Sequence, residues 1–145
     1  MARPDPVLGT EDDVLGDRIL AFLLDQFVVL VLAVVVGLGF GLASGTESGV
    51  LLGVFLVLFG YHAVAEGLWG QTVGKRLLGV VVVDEHGQHI GMGTSLLRNF
   101  LRVIDGLFYW VVGLVVMLVN DRNQRVGDIA ANTVVLRAER TGRVP

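Results

Sequence analysis

Arg18, Asp25, Arg98, Arg102 and Asp105 are charged residues set within or beside otherwise apolar stretches. An ionised side chain in hydrocarbon costs several kcal/mol unless it is partnered or hydrated. Such residues either exchange protons and ions or hold helices together as ion pairs. Asp25 stands roughly ten residues into the first helix, which is expected to start near Leu15, a depth expected to lie near a bilayer midplane. Arg18 is two helical turns earlier on nearly the same face, ~10 Å away along the axis, so direct contact needs an extended side chain. Arg98 and Arg102 are equally good partners. Asp105 follows Arg102 by three residues and can pair with it locally. A carboxylate in a partly hydrated site can trade a proton for a monovalent cation, because the two compete for one charge.

Other chemistry-bearing residues are secondary candidates. His62 and Glu66 are four apart on one helical face, a spacing that suits a proton relay or half of a metal site. No second His or Glu pair accompanies them in the apolar part, so no metal or cofactor is expected. The glycine-rich Gly70–Gly79 stretch lacks the glycine spacing of a phosphate-binding loop and the Ser/Thr after its lysine. Lys75 and Arg76 are expected to face lipid headgroups. Arg125 and Asp128, with Asp121 and Arg122, read as an ion-pair cluster closing the structure. No Ser/His/Asp constellation, histidine cluster or cysteine nucleophile is visible, and the chain reads as a non-enzyme.

These residues are positioned by unusually apolar elements. The 145 residues are 53% hydrophobic and 17% charged, with a mean hydropathy of +0.70, a composition of the membrane class. Ile19–Ala43 and Val50–Trp69 are each long enough to cross a hydrocarbon core needing ~20 helical residues. A third block, Gly106–Val119, is uncharged but too short to span alone. A signal peptide is a poor account of the first block, since the residues before it are acidic rather than basic. With no cysteine, disulfides, haem attachment and thiolate metal sites are excluded. No dense basic patch with interleaved aromatics supports nucleic-acid binding.

The expected architecture is an all-α membrane protein. A transmembrane helical hairpin is joined by an amphipathic helix over Thr94–Asp105 and a third apolar helix. Val80–Val83 and Thr133–Leu136 are β-like and are expected to pair in water on one face of the membrane. Asp84–Gly87 reads as a turn. Residues 1–14 read as a mobile acidic tail, 15–137 as the membrane domain and 138–145 as a C-terminal tail. Gly37 with Gly41, and Gly49 with Gly53, have the spacing that lets helices approach closely. The hairpin turn carries no Lys or Arg, whereas Lys75, Arg76, Arg98 and Arg102 follow the second helix, so the N-terminus is expected in the cytoplasm of a multi-pass cell-membrane protein. A basic C-terminal tail conflicts with three full crossings. Either the last two helices form an inserted hairpin, or a third crossing leaves the tail outside.

Four motifs in order resemble the RDD family of small membrane proteins. They are Arg18-x-x-Ala21-x-x-x-Asp25; Gly70-Gln71-Thr72-x-Gly74-Lys75 with Gly79; Arg98-Asn99-x-x-Arg102-x-x-Asp105; and Arg125-x-Gly127-Asp128-x-x-Ala131-x-Thr133-Val134-Val135. The resemblance spans about residues 15–137 and departs at Asn132, where the family usually has glycine. It implies that Arg18, Asp25 and Asp105 are the family's eponymous arginine and aspartates. It also implies a transport role, including monovalent cation/proton antiport. The alternative is a non-catalytic scaffold or assembly module whose buried charges are structural. Membrane lipid, a homo-oligomer or a membrane protein partner are the expected associations.

Overall fold

The computed structural model describes residues 3–102, 106 and 111–139. Apolar runs without internal breakers give two long helices, α1 (Leu15–Ser44) and α2 (Glu47–Trp69). Between them Gly45 takes a left-handed φ of 66° and donates its N–H to the Gly41 carbonyl oxygen, ending α1. Thr46 then caps α2, its hydroxyl accepting from the Gly49 N–H at 3.1 Å. The two helices form an antiparallel hairpin. The buried positions of α1, namely Arg18, Ala21, Asp25, Val29, Ala33 and Gly37, recur at three and four residues and so make one stripe.

Most of the remaining surface of both helices is apolar and exposed or half-buried. Only 17% of the most apolar stretch of α1, and 33% of that of α2, is buried within the molecule. Both are long and apolar enough to cross a membrane, and the unpartnered surface is of the kind that associates with one. The glycines expected to serve helix packing serve this hairpin internally: a Cβ on Gly53 would sit 2.8 Å from the Val36 carbonyl oxygen and 2.9 Å from the Gly37 Cα.

At the open end of the hairpin the chain builds a cap. It comprises α3 (Val73–Leu78), β2 (Val80–Asp84), α4 (Met92–Phe100), α5 (Val111–Val119), α6 (Val126–Ala130) and β3 (Thr133–Ala138), with β1 (Pro6–Val7) before the hairpin. The sheet order is β1-β3-β2, all antiparallel. The expected pairing of the two β-like runs is present, with Val82 opposite Val135 and Val83 opposite Val134. Their continuous apolarity reflects burial on both faces. Val80, Val82 and Val135 pack with Val14 and Ile90, while Val81, Val83, Val134 and Leu136 form the second cluster. The turn over Asp84–Gly87 is also present, Asp84 Oδ1 accepting from the His86 and Gln88 N–H groups at 2.8 Å.

The short helices α3 and α6 are built alike. Gln71 Nε2 donates to the Val80 carbonyl oxygen at 2.9 Å, and Gln124 Nε2 to that of Thr133 at 2.7 Å. Thr72 and Arg125, each extended, lead into these helices, and left-handed residues, Gly79 (φ 69°) and Asn132 (φ 50°), lead out of them into β2 and β3. Asparagine tolerates this conformation, which accounts for the departure from glycine at position 132.

Three expectations need correction. Residues 3–14, read as a tail, are packed: β1 pairs with β3, Val14 is fully buried, and Arg3 donates to the Gly67, Leu68 and Ile90 carbonyl oxygens. The sheet therefore has a third strand, and α3 and α6 are helices where only a loop and an ion-pair cluster were expected. The junction between the amphipathic and third apolar helices falls at 103–105 and 107–110, outside the described residues, as does most of the 138–145 tail.

Candidate functional site

The buried polar residues collect where the hairpin meets the cap. Asp25 lies 19 residues from Ser44 and Glu66 lies 19 residues from Glu47, a rise of ~28 Å in each helix. That matches a full hydrocarbon core of ~30 Å. Asp25 is therefore at the cap end of the helix pair rather than near its middle, which corrects the expected depth.

No arginine among the described residues is bonded to Asp25. Its carboxylate accepts instead from Tyr61 Oη at 2.9 Å, Thr72 Oγ1 at 2.5 Å and the Gly74 N–H at 2.8 Å. Gly74 is needed here because a Cβ would overlap the Ala21 carbonyl oxygen and sit 2.9 Å from Asp25 Cγ. Asp25 thus pins the start of α3 to α1 through hydrogen bonds.

The arginines serve two other carboxylates. Asp128, fully buried, accepts from Arg18 Nη2 and Arg98 Nε, both at 2.5 Å, with Arg125 Nε 3.5 Å away. Glu66, equally buried, is bound by Arg98 Nη1, Lys75 Nζ and Asn99 Nδ2, the last at 2.8 Å. Arg98 bridges the two, giving a continuous chain Arg18–Asp128–Arg98–Glu66–Lys75. Burial opposes the Arg98 charge, but Asp128 and Glu66 outweigh it and raise its pKa. Burial, with Arg98 and Arg125 adding to it, pulls the Lys75 ammonium down to about 7 against the attraction of Glu66. Lys75 points inward, not to headgroups as expected; Arg76 is exposed.

Burial alone would raise the Asp128 carboxyl, yet Arg98, Arg18 and Arg125 hold it well below the ordinary carboxylate range. The unfolded chain, whose aspartates titrate near ~3.9, then binds more protons than the folded chain once the pH falls toward that value. The Asp128 contribution is complete above about pH 5 and is lost progressively below it. Thermal midpoints in nonionic detergent are expected to fall steeply below about pH 4, beyond the shallower loss nearer neutrality that the buried Lys75 brings. A midpoint rising with acidification over that range would contradict an ionised, paired Asp128.

Beside this network lies a cavity of about 290 Å³ between α1 and α5. Arg18, Lys75, Arg98, Arg102 and Arg125 all line it, with Asp25 and His62. Its walls are apolar, formed by Ile19, Phe22 and Leu23 of α1 facing Val111, Leu114 and Met117. Arg102 stands over the Phe22 ring, 5.3 Å from its centroid. His62 is 4% exposed and neither ring nitrogen has a hydrogen-bond partner.

Of the residues singled out from sequence, Arg18, Arg98, Glu66, Lys75, Arg125 and Asp128 are brought into one network. Asp25 is held separately, Arg102 and His62 face the cavity, and Asp105 lies outside the described residues. His62 and Glu66 share a helix face without bonding to each other. Among the described residues, no cluster of three or more His, Cys, Asp or Glu side chains could hold a metal ion. Arg122 lies 3.8 Å from Glu11 and 3.6 Å from Glu85, away from the Arg125–Asp128 pair. Tyr61, Thr72 and Asn99 also belong to the site; Thr72 and Asn99 stand within the motifs quoted above, whereas nothing in the sequence around Tyr61 points to it. Asp128 is central rather than secondary, and its sequence does carry a signal: Gln124-Arg125-Val126-Gly127-Asp128 repeats the pattern of Gln71-Thr72-Val73-Gly74-Lys75.

The RDD family model matches residues 14–132, which include every residue of the network. The chain belongs to the RDD family. This RDD protein is 34% identical over 117 residues to an uncharacterized protein of Haemophilus influenzae, covering 77% of the present chain and 70% of that protein. It is 28% identical over 65 residues to the uncharacterized protein YxaI of Bacillus subtilis, covering 45% and 42% of the two chains. No solved structure matches.

Proposed function

We propose that this RDD protein is a non-catalytic, multi-pass cell-membrane module whose buried charges are structural. In this reading α1 and α2 cross the bilayer, and the ion-pair chain locks the sheet-bearing cap onto the cytoplasmic end of the hairpin. The observation that carries it is that every buried carboxylate among the described residues is satisfied: Asp25 has three hydrogen-bond donors, Glu66 three and Asp128 at least two at hydrogen-bond distance. A carboxylate that loads and releases cations needs an arrangement it can leave, whereas breaking a buried pair costs ~3–5 kcal/mol. The bases support the orientation. The Ser44–Glu47 turn carries none, while Arg76, Arg122 and Arg137 stand at the cap end.

Cation/proton antiport is the second reading, and one observation favours it. Asp25 borders the cavity, and its Tyr61 and Thr72 hydroxyls could rotate to offer oxygen lone pairs to a monovalent cation. Against it, five cationic side chains line the same cavity and would repel a small cation. Proteoliposomes decide between them. On the structural reading, wild type and Asp25→Asn show the same background proton flux when Na⁺ or K⁺ is added, and both remain folded. A cation-dependent flux in wild type that is abolished in a folded Asp25→Asn protein would establish antiport. A stoichiometric membrane partner on purification in mild detergent is the further result expected of a module.

A further inference from the structure

We propose that the cavity between α1 and α5 is a binding site for the head of an anionic phospholipid. The proposal rests on the membrane reading above and adds a ligand to it. The polar groups on its rim exceed what the ion-pair chain uses. Among the described residues Arg102 makes no ion pair, its guanidinium meeting only the Phe22 ring in a described contact. Arg125 Nε has no hydrogen-bond partner and approaches Asp128 only to 3.5 Å. His62 is more than nine-tenths buried, borders the cavity and leaves both ring nitrogens unsatisfied. Buried donors without acceptors are rare and costly, and here His62 and Arg125 carry them beside the half-buried guanidinium of Arg102.

Charge and shape select the occupant. Among the described residues, the five cationic side chains lining the cavity meet three buried carboxylates, Asp25, Glu66 and Asp128, which leaves an excess of positive charge for an oxyanion. A phosphodiester offers two acceptor oxygens to the Arg102 fork, with Arg125 and His62 as further donors. The remaining wall is hydrocarbon. Ile19, Leu23, Val111 and Leu114 line the cavity and are at the same time exposed on the outer surface, so the space opens sideways between α1 and α5. A soluble phosphate has no use for such walls. A glycerophosphate head with its first methylenes fits both parts, with the acyl chains leaving through the lateral opening. Basic pockets between membrane helices bind anionic headgroups in this manner.

The test is spin-label electron paramagnetic resonance on the full-length protein in phosphatidylcholine vesicles carrying trace spin-labelled phosphatidylglycerol or phosphatidylcholine. Wild type is expected to hold phosphatidylglycerol about fivefold over phosphatidylcholine, the equivalent of one extra arginine contact. Arg102→Gln is expected to abolish the preference, whereas Arg122→Gln, remote from the cavity, keeps it. Leu114→Trp fills the space without touching a charge and is expected to abolish the preference too, which decides the matter if Arg102→Gln fails to fold. Millimolar inorganic phosphate is expected to leave the preference intact. Displacement by phosphate, or an equal preference in folded Leu114→Trp, would overturn the proposal. A normal shell of restricted lipid with no headgroup selectivity would overturn it while sparing the membrane reading. No restricted lipid at all would overturn the membrane reading itself.

Discussion

Arg98→Ala is expected to be the most damaging single substitution in the protein, with a loss of about 3–5 kcal/mol. Arg98 is 1% exposed and is the only described residue bonded to both Glu66 and Asp128, each fully buried. Truncation leaves these carboxylates in low dielectric with their shared cation gone. Glu66 then relies on Lys75 and Asn99, and Asp128 on Arg18 and Arg125. Arg98→Lys is expected to recover little, since an ammonium cannot present the guanidinium's separate Nε and Nη1 donors to two carboxylates. The measurement is the denaturation midpoint in detergent micelles. Near-wild-type stability of Arg98→Ala would show that the network is not structural.

Gly74→Val should come close behind, at about 3 kcal/mol. Its Cβ would overlap the Ala21 carbonyl oxygen, which is part of the α1 backbone and cannot move aside as a side chain could. Any shift of α3 away from α1 also breaks the Gly74 N–H bond to Asp25 and stretches the Thr72 hydroxyl bond. Val73→Ala, at an exposed position one residue earlier, serves as the control and should cost under about 0.5 kcal/mol. Equal midpoints for Gly74→Val and Val73→Ala would mean that α3 does not dock closely on α1.

The hairpin and the β pairing were legible because each follows from a local pattern. Ile19–Ala43 and Val50–Trp69 are too apolar to be anything but long helices, and the Val80–Val83 run is β-branched throughout. The partners of the charges were not legible. Asp25 is seven residues from Arg18, and sequence proximity suggests an ion pair, yet tertiary packing brings Tyr61, Thr72 and Gly74 to it instead. Asp128 is 110 residues from Arg18 and 30 from Arg98, separations at which spacing carries no information. β1 has no legible signal because two residues, one of them proline, have no period to read. The match between Gln124–Asp128 and Gln71–Lys75 is the one local sign that the charged cluster near the C-terminus has a counterpart just after α2.

The likeness of α3 and α6 reaches further than their glutamines. Gln71 and Gln124, Gly74 and Gly127, and Gly79 and Asn132 are each 53 positions apart, and the strands that follow cross at the Val82–Val135 pair, with Val81 opposite Leu136 and Val83 opposite Val134. An antiparallel pair in which each strand plays the same part implies an approximate two-fold axis through its centre. The repeat covers α3 with β2 and α6 with β3, two copies of one helix–strand unit. The equivalent of Lys75 in the second unit is Asp128, so the units match in shape and differ in charge. A lysine at position 128 would have set a like charge against Arg18 and Arg98; the exchange of sign lets the network close there.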